Sequence, residues 1–477
     1  MHPAPTWLMP DRAAGDLEGQ IYRGLRDRIL SGQMAATQRL PSTRAMAMAL
    51  GVARSTVVHA YDRLKAEGYL DGRPGSATVV AAIAPAPAPA PRRAPVPVPV
   101  TAGAGGEAPP RLYAPGMPDL ASFPHADWAA CLKAGARSFR TSDLGYAETT
   151  GLAALRQAII DHVSVTRGVS ATADQVLILP STRAAIDLLA TVLLTGRGAG
   201  REDVVWLEEP GYPAARAVFA AAGARLAPVP CDAAGIDVAA ALATGQPAPR
   251  IIYTTPSHQY PTGVTMTLPR RLALLEVARS AGAIVIEDDY DSEFHYGAHP
   301  IAALQGIDRS DVVVYLGTFS KTLAPGLRVA YMIVPQRLWA PVSTAFRRRG
   351  AAVSGHIQAG LARFMRDGRL RAHLRRMTPV YGARMRATAD ALRRHCGPVL
   401  DLGDGEDGLQ RATWFRDPAC PDVAIAGRLA AQGFGMQPMS GFFLGPPRPG
   451  LLFGIAAVDP ARIDADAARI MGCCGPR

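Results

Sequence analysis

The stretch Leu316-Gly-Thr-Phe-Ser-Lys-Thr-Leu-Ala-Pro-Gly-Leu-Arg-Val-Ala-Tyr331 decides the fold of the larger part of this 477-residue chain. It continues an apolar run at 312–315 and then enters a segment rich in Gly, Ser and Thr. Lys321 therefore follows a predicted buried strand, and Arg328 follows seven residues later. Such positions lie at the carboxyl end of a strand, where open α/β sheets place their ligands.

Further short apolar runs alternate with helical patterns from residue 111 to residue 477. Strands that are apolar along their whole length are typical of parallel sheets that helices cover on both faces. The sequence therefore predicts an α/β domain with a mainly parallel sheet over residues 111–477. The runs are Val176–Leu179, Val204–Leu207, Ile251–Tyr253, Ile284–Ile286 and Val312–Tyr315.

Residues 11–80 carry a different pattern. Ser42 is placed to cap a helix that Gly51 ends, and a second helix is predicted from about Ser55 to Glu67. The turn residues of 71–75 predict a hairpin after it. Helix, tight turn, helix and hairpin together predict a winged helix-turn-helix, whose second helix enters the major groove of DNA.

The predicted DNA contacts are polar residues at the helix starts and on the wing. Arginine suits this work because its guanidinium pairs bidentately with phosphate or guanine. In a small helical domain without DNA binding, the same residues would be ordinary surface groups. The first helix takes its predicted apolar side from Ala45, Met46, Ala49 and Leu50. The predicted DNA-contacting residues are Arg44, Arg54, Ser55, Thr56, His59 and Arg73.

Residues 81–110, AAIAPAPAPAPRRAPVPVPVTAGAGGEAPP, separate these two segments. Proline removes a backbone donor and prevents both a helix interior and a strand ladder. Alternating Ala-Pro and Val-Pro favours extended polyproline II, which acts as a semi-rigid spacer. The sequence therefore predicts a linker between a DNA-binding domain at 11–80 and a domain at 111–477.

Composition narrows the class of protein. Charged residues make up 19% and no run of about 18 apolar residues occurs, so we expect a globular protein without a membrane span. The first ten residues lack a signal-peptide pattern, and we expect a cytoplasmic location. The net charge of +11 permits contact with a polyanion. Six cysteines without metal-site spacing predict free thiols and no metal: Cys131, Cys231, Cys396, Cys420, Cys473 and Cys474.

The N-terminal segment resembles the GntR family of bacterial regulators. The resemblance is carried by LPSTR at 40–44, V-x-R-S-T-V at 52–57 and Y-x-x-L-x-x-E-G-Y-L at 61–70. Two departures stand out. Ala53 takes the place of the serine that usually precedes the recognition-helix arginine, and Ala77 takes that of a glycine common in the wing.

The C-terminal segment resembles a fold-type I aminotransferase. The stretch 316–331, Ile284–Tyr290 and TPSHQYPTG at 255–263 carry the resemblance. The order of winged helix, linker and aminotransferase-like domain is similar to that of the MocR subfamily of GntR regulators. The resemblance implies pyridoxal 5'-phosphate as cofactor, bound to Lys321 as an internal aldimine.

The resemblance assigns the reacting end of the cofactor to three residues. A lysine amine forms a Schiff base with the aldehyde, and burial lowers its pKa. Asp288 is the carboxylate predicted to face the pyridine nitrogen, and its neighbour Asp289 is the residue most easily confused with it. Tyr290 would donate its hydroxyl to the ring oxygen.

The phosphate end needs hydroxyls and positive charge, which Arg328, the residues before Lys321 and a helix N-terminus can supply. Tyr212 fits the residue that stacks on the ring, although a core aromatic is nearly as good an interpretation. Tyr260 stands where many aminotransferases have Asn. The predicted cofactor-binding residues are Lys321, Asp288, Tyr290, Arg328, Thr318, Ser320, Ser181, Thr182, Tyr212 and Tyr260.

A further departure bears on function. Amino-acid aminotransferases usually carry an arginine near the C-terminus that binds the substrate carboxylate, and Leu452 stands in its place here. A leucine cannot pair with a carboxylate. Arg448 is close in sequence, and whether it substitutes is left open because Pro449 and Gly450 make its direction unpredictable.

Three functions are compatible with these features. The first is a transcription regulator that senses pyridoxal phosphate or an amino compound, which the winged helix and Leu452 favour. The second is a working aminotransferase with an appended DNA-binding domain, which the intact set of Lys321, Asp288, Tyr290 and Arg328 favours. The third, a cofactor-free dimerisation module, leaves that set without a use.

The MocR resemblance also implies a homodimer in which the DNA-binding domains are exchanged between chains. Tyr146 is predicted to enter the partner's cofactor pocket. A two-fold dimer would read paired half-sites on double-stranded DNA.

Overall fold

The computed structural model describes residues 8–72, 77–82, 111–139, 141, 145, 150–194, 202–297, 302–350, 353–403, 405 and 407–474. The chain divides into two compact units, Met1–Gly106 and Glu107–Arg477. The predicted linker at 81–110 lies outside the described residues except for its first two alanines, so its boundaries stay a prediction.

The first unit is a winged helix-turn-helix, as the sequence predicts. Three helices pack around a small core, and two short antiparallel strands follow them, with Leu70 opposite Val80. The core is local, because its residues lie on neighbouring helices. The elements are α1 (Leu17–Leu30), α2 (Thr43–Leu50), α3 (Arg54–Ala66), β1 (Leu70–Asp71) and β2 (Val79–Val80).

The buried side of α2 differs from the predicted one. Met46 and Ala47 are buried, whereas Ala45 and Ala49 are exposed. Each residue advances a helix by about 100°, so the buried side centres on Met46 and the two alanines fall outside it. Burial of the larger Met46 side chain determines the rotation of the helix about its axis. The sequence pattern did not show that Met46 would be buried in preference to the neighbouring alanines.

The second unit contains twelve α-helices among its described residues, and they cover both faces of a central sheet. Two large apolar clusters lie one on each side of that sheet. The helices are α4 (His125–Ser138), α5 (Ala153–Arg167), α6 (Thr182–Leu193), α7 (Pro213–Ala221), α8 (Val238–Ala243), α9 (Leu268–Ala281), α10 (Leu304–Ile307), α11 (Gln336–Arg349), α12 (Gly355–Arg366), α13 (Arg369–Cys396), α14 (Asp422–Ala431) and α15 (Ile463–Cys474).

The strands form an eight-stranded sheet and a four-stranded antiparallel sheet. In the large sheet the order is β3-β10-β9-β8-β7-β4-β5-β6, and in the small one β11-β12-β14-β13. The strands are β3 (Val176–Leu179), β4 (Val204–Glu209), β5 (Arg225–Asp232), β6 (Gly235–Ile236), β7 (Ile251–Thr254), β8 (Ile284–Asp289), β9 (Val313–Thr318), β10 (Ala330–Ile333), β11 (Leu400–Leu402), β12 (Gln410–Phe415), β13 (Gln437–Pro438) and β14 (Gly450–Gly454).

The five predicted strands are all present and run in one direction, which confirms a mainly parallel sheet. β10 is an exception, because it runs antiparallel to both β9 and β3. The stretch 316–331 therefore folds back on itself, with Ala330 opposite Thr318. Gly317 permits the close return, since a Cβ there would lie 2.2 Å from the ring of Tyr331. Lys321 lies in the turn between the two strands.

Across the described part of the chain, no helix is both long enough and apolar enough to cross a lipid bilayer.

The start of α3 offers a test of local stability. Ala53 occupies the N-cap position with φ −64° and ψ 142° and makes no side-chain cap, whereas Ser42 caps α2 at φ −58° and ψ 152°. We expect Ala53→Ser to stabilise α3 by about 1 kcal/mol. Native-state hydrogen exchange of the α3 amides in the full chain should slow about fivefold.

Ser42→Ala is the matched control. It removes the acceptor that lies 3.2 Å from the Ala45 amide and should speed exchange in α2 by a similar factor. Unchanged exchange in α3 of the Ala53→Ser variant would show that the missing cap does not limit the stability of this helix.

Candidate cofactor site

One cavity of about 390 Å³ gathers all ten residues predicted to bind the cofactor. It lies at the carboxyl ends of the parallel strands β8 and β9. Residues far apart in sequence meet there because strands at this edge of the sheet end side by side. The ten residues are Lys321, Asp288, Tyr290, Arg328, Thr318, Ser320, Ser181, Thr182, Tyr212 and Tyr260.

Lys321 reaches this cavity from the turn after β9. Its Nζ donates a hydrogen bond to the carbonyl oxygen of Gly116. Burial lowers the pKa of the amine, and the carboxylates of Asp291 and Asp288 oppose that shift only in part. A buried lysine with a lowered pKa has a larger neutral fraction, which is the form that attacks an aldehyde.

Asp288 is the penultimate residue of β8 and pairs in register with Leu316 of β9, the strand that Lys321 follows. The hydroxyl of Tyr253 donates to its Oδ2 at 2.6 Å. Its Oδ1 is buried and has no hydrogen-bond partner among the described residues. Burial raises the pKa of this carboxyl to about 6. An unpartnered carboxylate oxygen in the cavity fits the protonated ring nitrogen of pyridoxal phosphate.

The neighbouring Asp289 has a different set of partners. Arg167 Nε lies 2.8 Å and the Tyr315 hydroxyl 2.5 Å from its Oδ2. Burial raises its pKa, but the Arg167 charge and the hydrogen bonds outweigh burial and leave the pKa lowered. Asp289 does not line the cavity and instead forms a buried ion pair that joins α5 to β8.

The part of the cavity predicted to bind the phosphate contains hydroxyls and Arg328. Thr318 Oγ1 lies 3.0 Å from Ser320 Oγ, and Ser181 caps α6 by accepting from the Ala184 amide at 3.1 Å. Arg328 adopts φ 52° and ψ 48°, a left-handed conformation that is uncommon for a residue with a side chain. Such strain persists where the surroundings hold it, and here it directs an arginine into the cavity.

Three tyrosines form an aromatic wall. The ring centroid of Tyr260 lies 5.3 Å from that of Tyr212 and 5.8 Å from that of Tyr290. Tyr260 also packs edge-on against Phe442, at 5.5 Å. Tyr212 can therefore offer a face to a planar ligand, and Tyr260 supplies apolar contact where an asparagine would supply a hydrogen bond.

A buried carboxylate, Glu208 of β4, holds the loop that carries Tyr260. Its two oxygens accept hydrogen bonds from the hydroxyls of Thr254 and Thr255, each at 2.6 Å. Gln259 donates to the same carboxylate at 3.2 Å. The hydroxyl of Thr255 in turn accepts from the Tyr260 amide at 2.8 Å, so the loop position depends on Glu208.

The residues packed around Leu452 of β14 are apolar. Leu452 is fully buried among Ala412, Trp414, Met439 and Phe442 and does not line the cavity. The guanidinium of Arg448 stacks on Trp414, 4.5 Å from the ring centroid, and is likewise absent from the cavity lining. Arg448 therefore does not replace the carboxylate-binding arginine that Leu452 displaces.

Seven lining residues were not among the predicted ones. Arg183 directly follows Ser181 and Thr182, which were predicted, so its position in the first turn of α6 could have pointed to it. Gln410 begins β12 and lies 3.4 Å from the Tyr290 hydroxyl, a contact between distant segments that no local pattern shows. The remaining lining residues are Pro115, Gly116, Tyr253, Thr255 and Pro325.

The predicted DNA contacts lie at the starts of α2 and α3. Arg54 is the first residue of α3, and Arg44 lies in the first turn of α2. These two residues, Ser55 and His59 are exposed, whereas Thr56 is half-buried. Arg73 lies outside the described residues, as does Tyr146 of the second unit.

The two neighbouring aspartates provide a test of the site. Asp288→Asn should weaken pyridoxal phosphate binding about tenfold to a hundredfold, since a charge-assisted hydrogen bond contributes roughly 1.5–3 kcal/mol. Asp289→Asn should instead reduce the free energy of unfolding by roughly 3–5 kcal/mol, because it removes the carboxylate that pairs with the buried Arg167 guanidinium. Cofactor titration and urea unfolding of both variants measure the two effects. The assignment is wrong if Asp289→Asn loses the cofactor at unchanged stability.

Comparison with known proteins agrees with this geometry. Residues 17–80 match the family described as bacterial regulatory proteins, gntR family, and residues 122–409 match aminotransferase class I and II. The chain is 25% identical to the α-aminoadipate aminotransferase LysN of Thermus thermophilus, solved in complex with N-(5'-phosphopyridoxyl)-L-leucine. The TM-score is 0.68, with 76% of this chain and 91% of that chain covered.

Relatives with the same two-part organisation extend over nearly the whole chain. It is 37% identical over 466 residues to the probable rhizopine catabolism regulatory protein MocR of Rhizobium meliloti, covering 95% of this chain and 93% of that one. It is 34% identical over 498 residues to the HTH-type transcriptional regulator TauR of Rhodobacter capsulatus, covering 98% of each. The chain therefore belongs to the MocR-type GntR transcription regulators, in which a DNA-binding winged helix precedes an aminotransferase fold that binds pyridoxal phosphate.

Proposed function

We propose that this chain regulates transcription by sensing pyridoxal phosphate or an amino compound in the cavity around Lys321. The observation that carries the proposal is the contrast between the cofactor-binding groups and the position of the usual carboxylate anchor. Lys321 and the unpartnered Oδ1 of Asp288 lie in the cavity, whereas Leu452 stands where aminotransferases usually carry an arginine and is buried in an apolar cluster outside the cavity lining. The cavity suits a bound amine but lacks the usual anchor for an amino-acid carboxylate.

The residues divide the work of holding the cofactor. Pyridoxal phosphate supplies an aldehyde that reacts with primary amines and a ring that withdraws electrons. Lys321 presents its amine from a buried position, and Asp288 would hold the ring nitrogen protonated. Arg328 and Ser320 would bind the phosphate, while Tyr212 would cover one ring face.

Leu452 argues for sensing above turnover. Without an arginine at position 452, the carboxylate of an ordinary amino acid loses a charge-assisted hydrogen bond of roughly 1.5–3 kcal/mol at its usual place, so the amino acid would not be held in the usual orientation for turnover. A working aminotransferase remains the second candidate, favoured by the complete set of Lys321, Asp288, Tyr290 and Arg328 in one cavity. Steady-state transfer of amino groups at roughly 1–1000 per second would support it.

Arg183 supplies a cation on the cavity wall. It forms no ion pair with a carboxylate among the described residues, and its charge partly opposes the rise that burial causes in the pKa of the Tyr212 hydroxyl. An arginine without a carboxylate partner can accept an anionic group. We therefore propose that the effector is an amine that also carries an acidic group, which binds at Arg183 and not near Leu452.

The assembly and location proposed are a cytoplasmic homodimer on double-stranded DNA. The support is the family's two-part organisation and the thirty residues of the predicted linker. Fully extended at ~3.1 Å per residue, that segment spans on the order of 90 Å, which is sufficient for an exchange of DNA-binding domains.

DNA binding tests the sensing proposal. The full chain is titrated onto its own upstream DNA with and without pyridoxal phosphate and a panel of amines. We expect the apparent Kd to change severalfold or more when the cavity is filled, and Lys321→Ala to abolish the change together with the visible absorbance of bound cofactor. Lys133→Ala, at an exposed lysine on α4, is the matched control and should respond as the parent does.

Two outcomes would reject the proposal. One is DNA binding that is identical with and without cofactor and amines. The other is sustained multiple turnover of amino acids by the parent chain with no effect on DNA.

The role of Arg183 has its own test. Arg183→Gln should weaken the response to acidic amines about tenfold or more while leaving the cofactor affinity within about twofold, because the phosphate retains Arg328. Amines without an acidic group should act equally on parent and variant. If Arg183→Gln mainly lowers cofactor affinity, the arginine binds the phosphate and the proposed effector class is wrong.

A further inference from the structure

A cluster of metal-binding side chains lies outside the cofactor cavity. His258, His295 and Asp407 come from the segments after β7, after β8 and before β12. Each offers one ligand atom, and the three atoms lie within 4.8 Å of one another. Sequence spacing could not reveal them as a site, because each ligand lies on a different segment.

His258 is already oriented as a metal ligand would be. Its Nδ1 lies 3.0 Å from Asp291 Oδ1, which leaves Nε2 directed at Asp407, 3.9 Å away. Only 4% of the His258 side chain is exposed. Asp291 is fixed in turn by the Leu409 amide, at 3.2 Å from its Oδ2. A carboxylate behind a histidine commonly fixes the ring tautomer and orientation at metal sites.

The other two ligands are within reach of solvent. His295 Nδ1 lies 2.6 Å from Asp407 Oδ2, and their side chains are 22% and 17% exposed. Asp407 also borders a cavity of about 360 Å³, and His295 borders another of about 550 Å³. An ion therefore has a route to the cluster, and a water molecule has room to complete its coordination.

Charge balance favours a cation at this point. Asp291 and Asp407 place two carboxylates around the two histidines, and the ion pairs that Asp407 makes among the described residues are with His258 and His295. Buried carboxylates need compensating positive charge. One divalent ion placed between the three ligand atoms would supply it.

We propose that His258, His295 and Asp407 bind one divalent transition-metal ion, with Zn²⁺ as the best fit, and that Asp291 holds His258 in place. Two imidazoles and one carboxylate with an open fourth position match the ligand preferences of zinc, whereas magnesium prefers oxygen ligands.

The position gives the ion a consequence for the cofactor cavity. Tyr260 follows His258 by two residues, Tyr290 precedes Asp291, and Gln410 follows Asp407 by three residues. All three of these neighbours line the cavity. An ion that joins the three segments would therefore stiffen the wall formed by Tyr260, Tyr290 and Gln410.

Metal analysis and zinc titration of the full chain, carrying its cofactor and no affinity tag, test the proposal. We expect one Zn²⁺ per chain at micromolar zinc, a higher Tm with zinc than with chelator, and no equivalent effect of Mg²⁺. His295→Gln and Asp407→Asn should each weaken zinc binding at least tenfold, and Asp291→Asn about 10–100-fold. The two ligand variants change partly exposed side chains, so they keep the test valid if a His258 variant fails to fold.

His356→Gln removes an exposed histidine from α12 and is the matched control that should bind zinc as the parent does. Absence of zinc binding by the parent at micromolar concentration would overturn the proposal. Zinc binding that survives in both His295→Gln and Asp407→Asn would also overturn it, because the free cysteines would then be the ligands.

Discussion

The parallel pairing of β8 with β9 is the constraint on which the rest of the second unit depends. It brings the end of one strand, Asp288, beside the turn that follows the other, which contains Lys321. Neither group is stable as an isolated buried charge, as the raised pKa of the carboxyl and the lowered pKa of the amine show. The two apolar clusters that cover the sheet fix its register and so hold both groups in a site that binding of a polar ligand would stabilise.

The same constraint explains how much of the site could be predicted from sequence. Apolar runs locate the strands, and parallel strands end at one edge, which agrees with the common site that the aminotransferase resemblance assigned to Lys321 and Asp288. The resemblance also preferred Asp288 to Asp289, a choice that the strand pattern alone could not make. Successive residues of a strand point to opposite faces, and only the arrival of Arg167 from α5 shows which face is closed by an ion pair.

Local and distant contacts account for the remaining differences. The winged helix was predicted nearly completely because caps, turns and helix pairs are short-range features, and the error at Ala45 and Ala49 concerns only the rotation of α2. Gln410 and the His258 cluster were missed because their neighbours lie on segments far away in sequence. The local periodicity of the sequence gives no information about contacts between such distant segments.

The residues that line the cavity come from segments of both sheets, and this bears on how a bound ligand could change the conformation of the protein. Asp288 lies in the large sheet and Lys321 in the turn between two of its strands, whereas Gln410 begins a strand of the small sheet, to which Leu452 also belongs. A ligand shifts a conformational equilibrium only by as much as its affinities for the two states differ. A compound that contacts the large sheet alone gains nothing from movement of the small one. An effector that acts through such a movement would therefore have to touch both sheets, and Tyr260, whose ring packs against Phe442, is a residue through which it could do so.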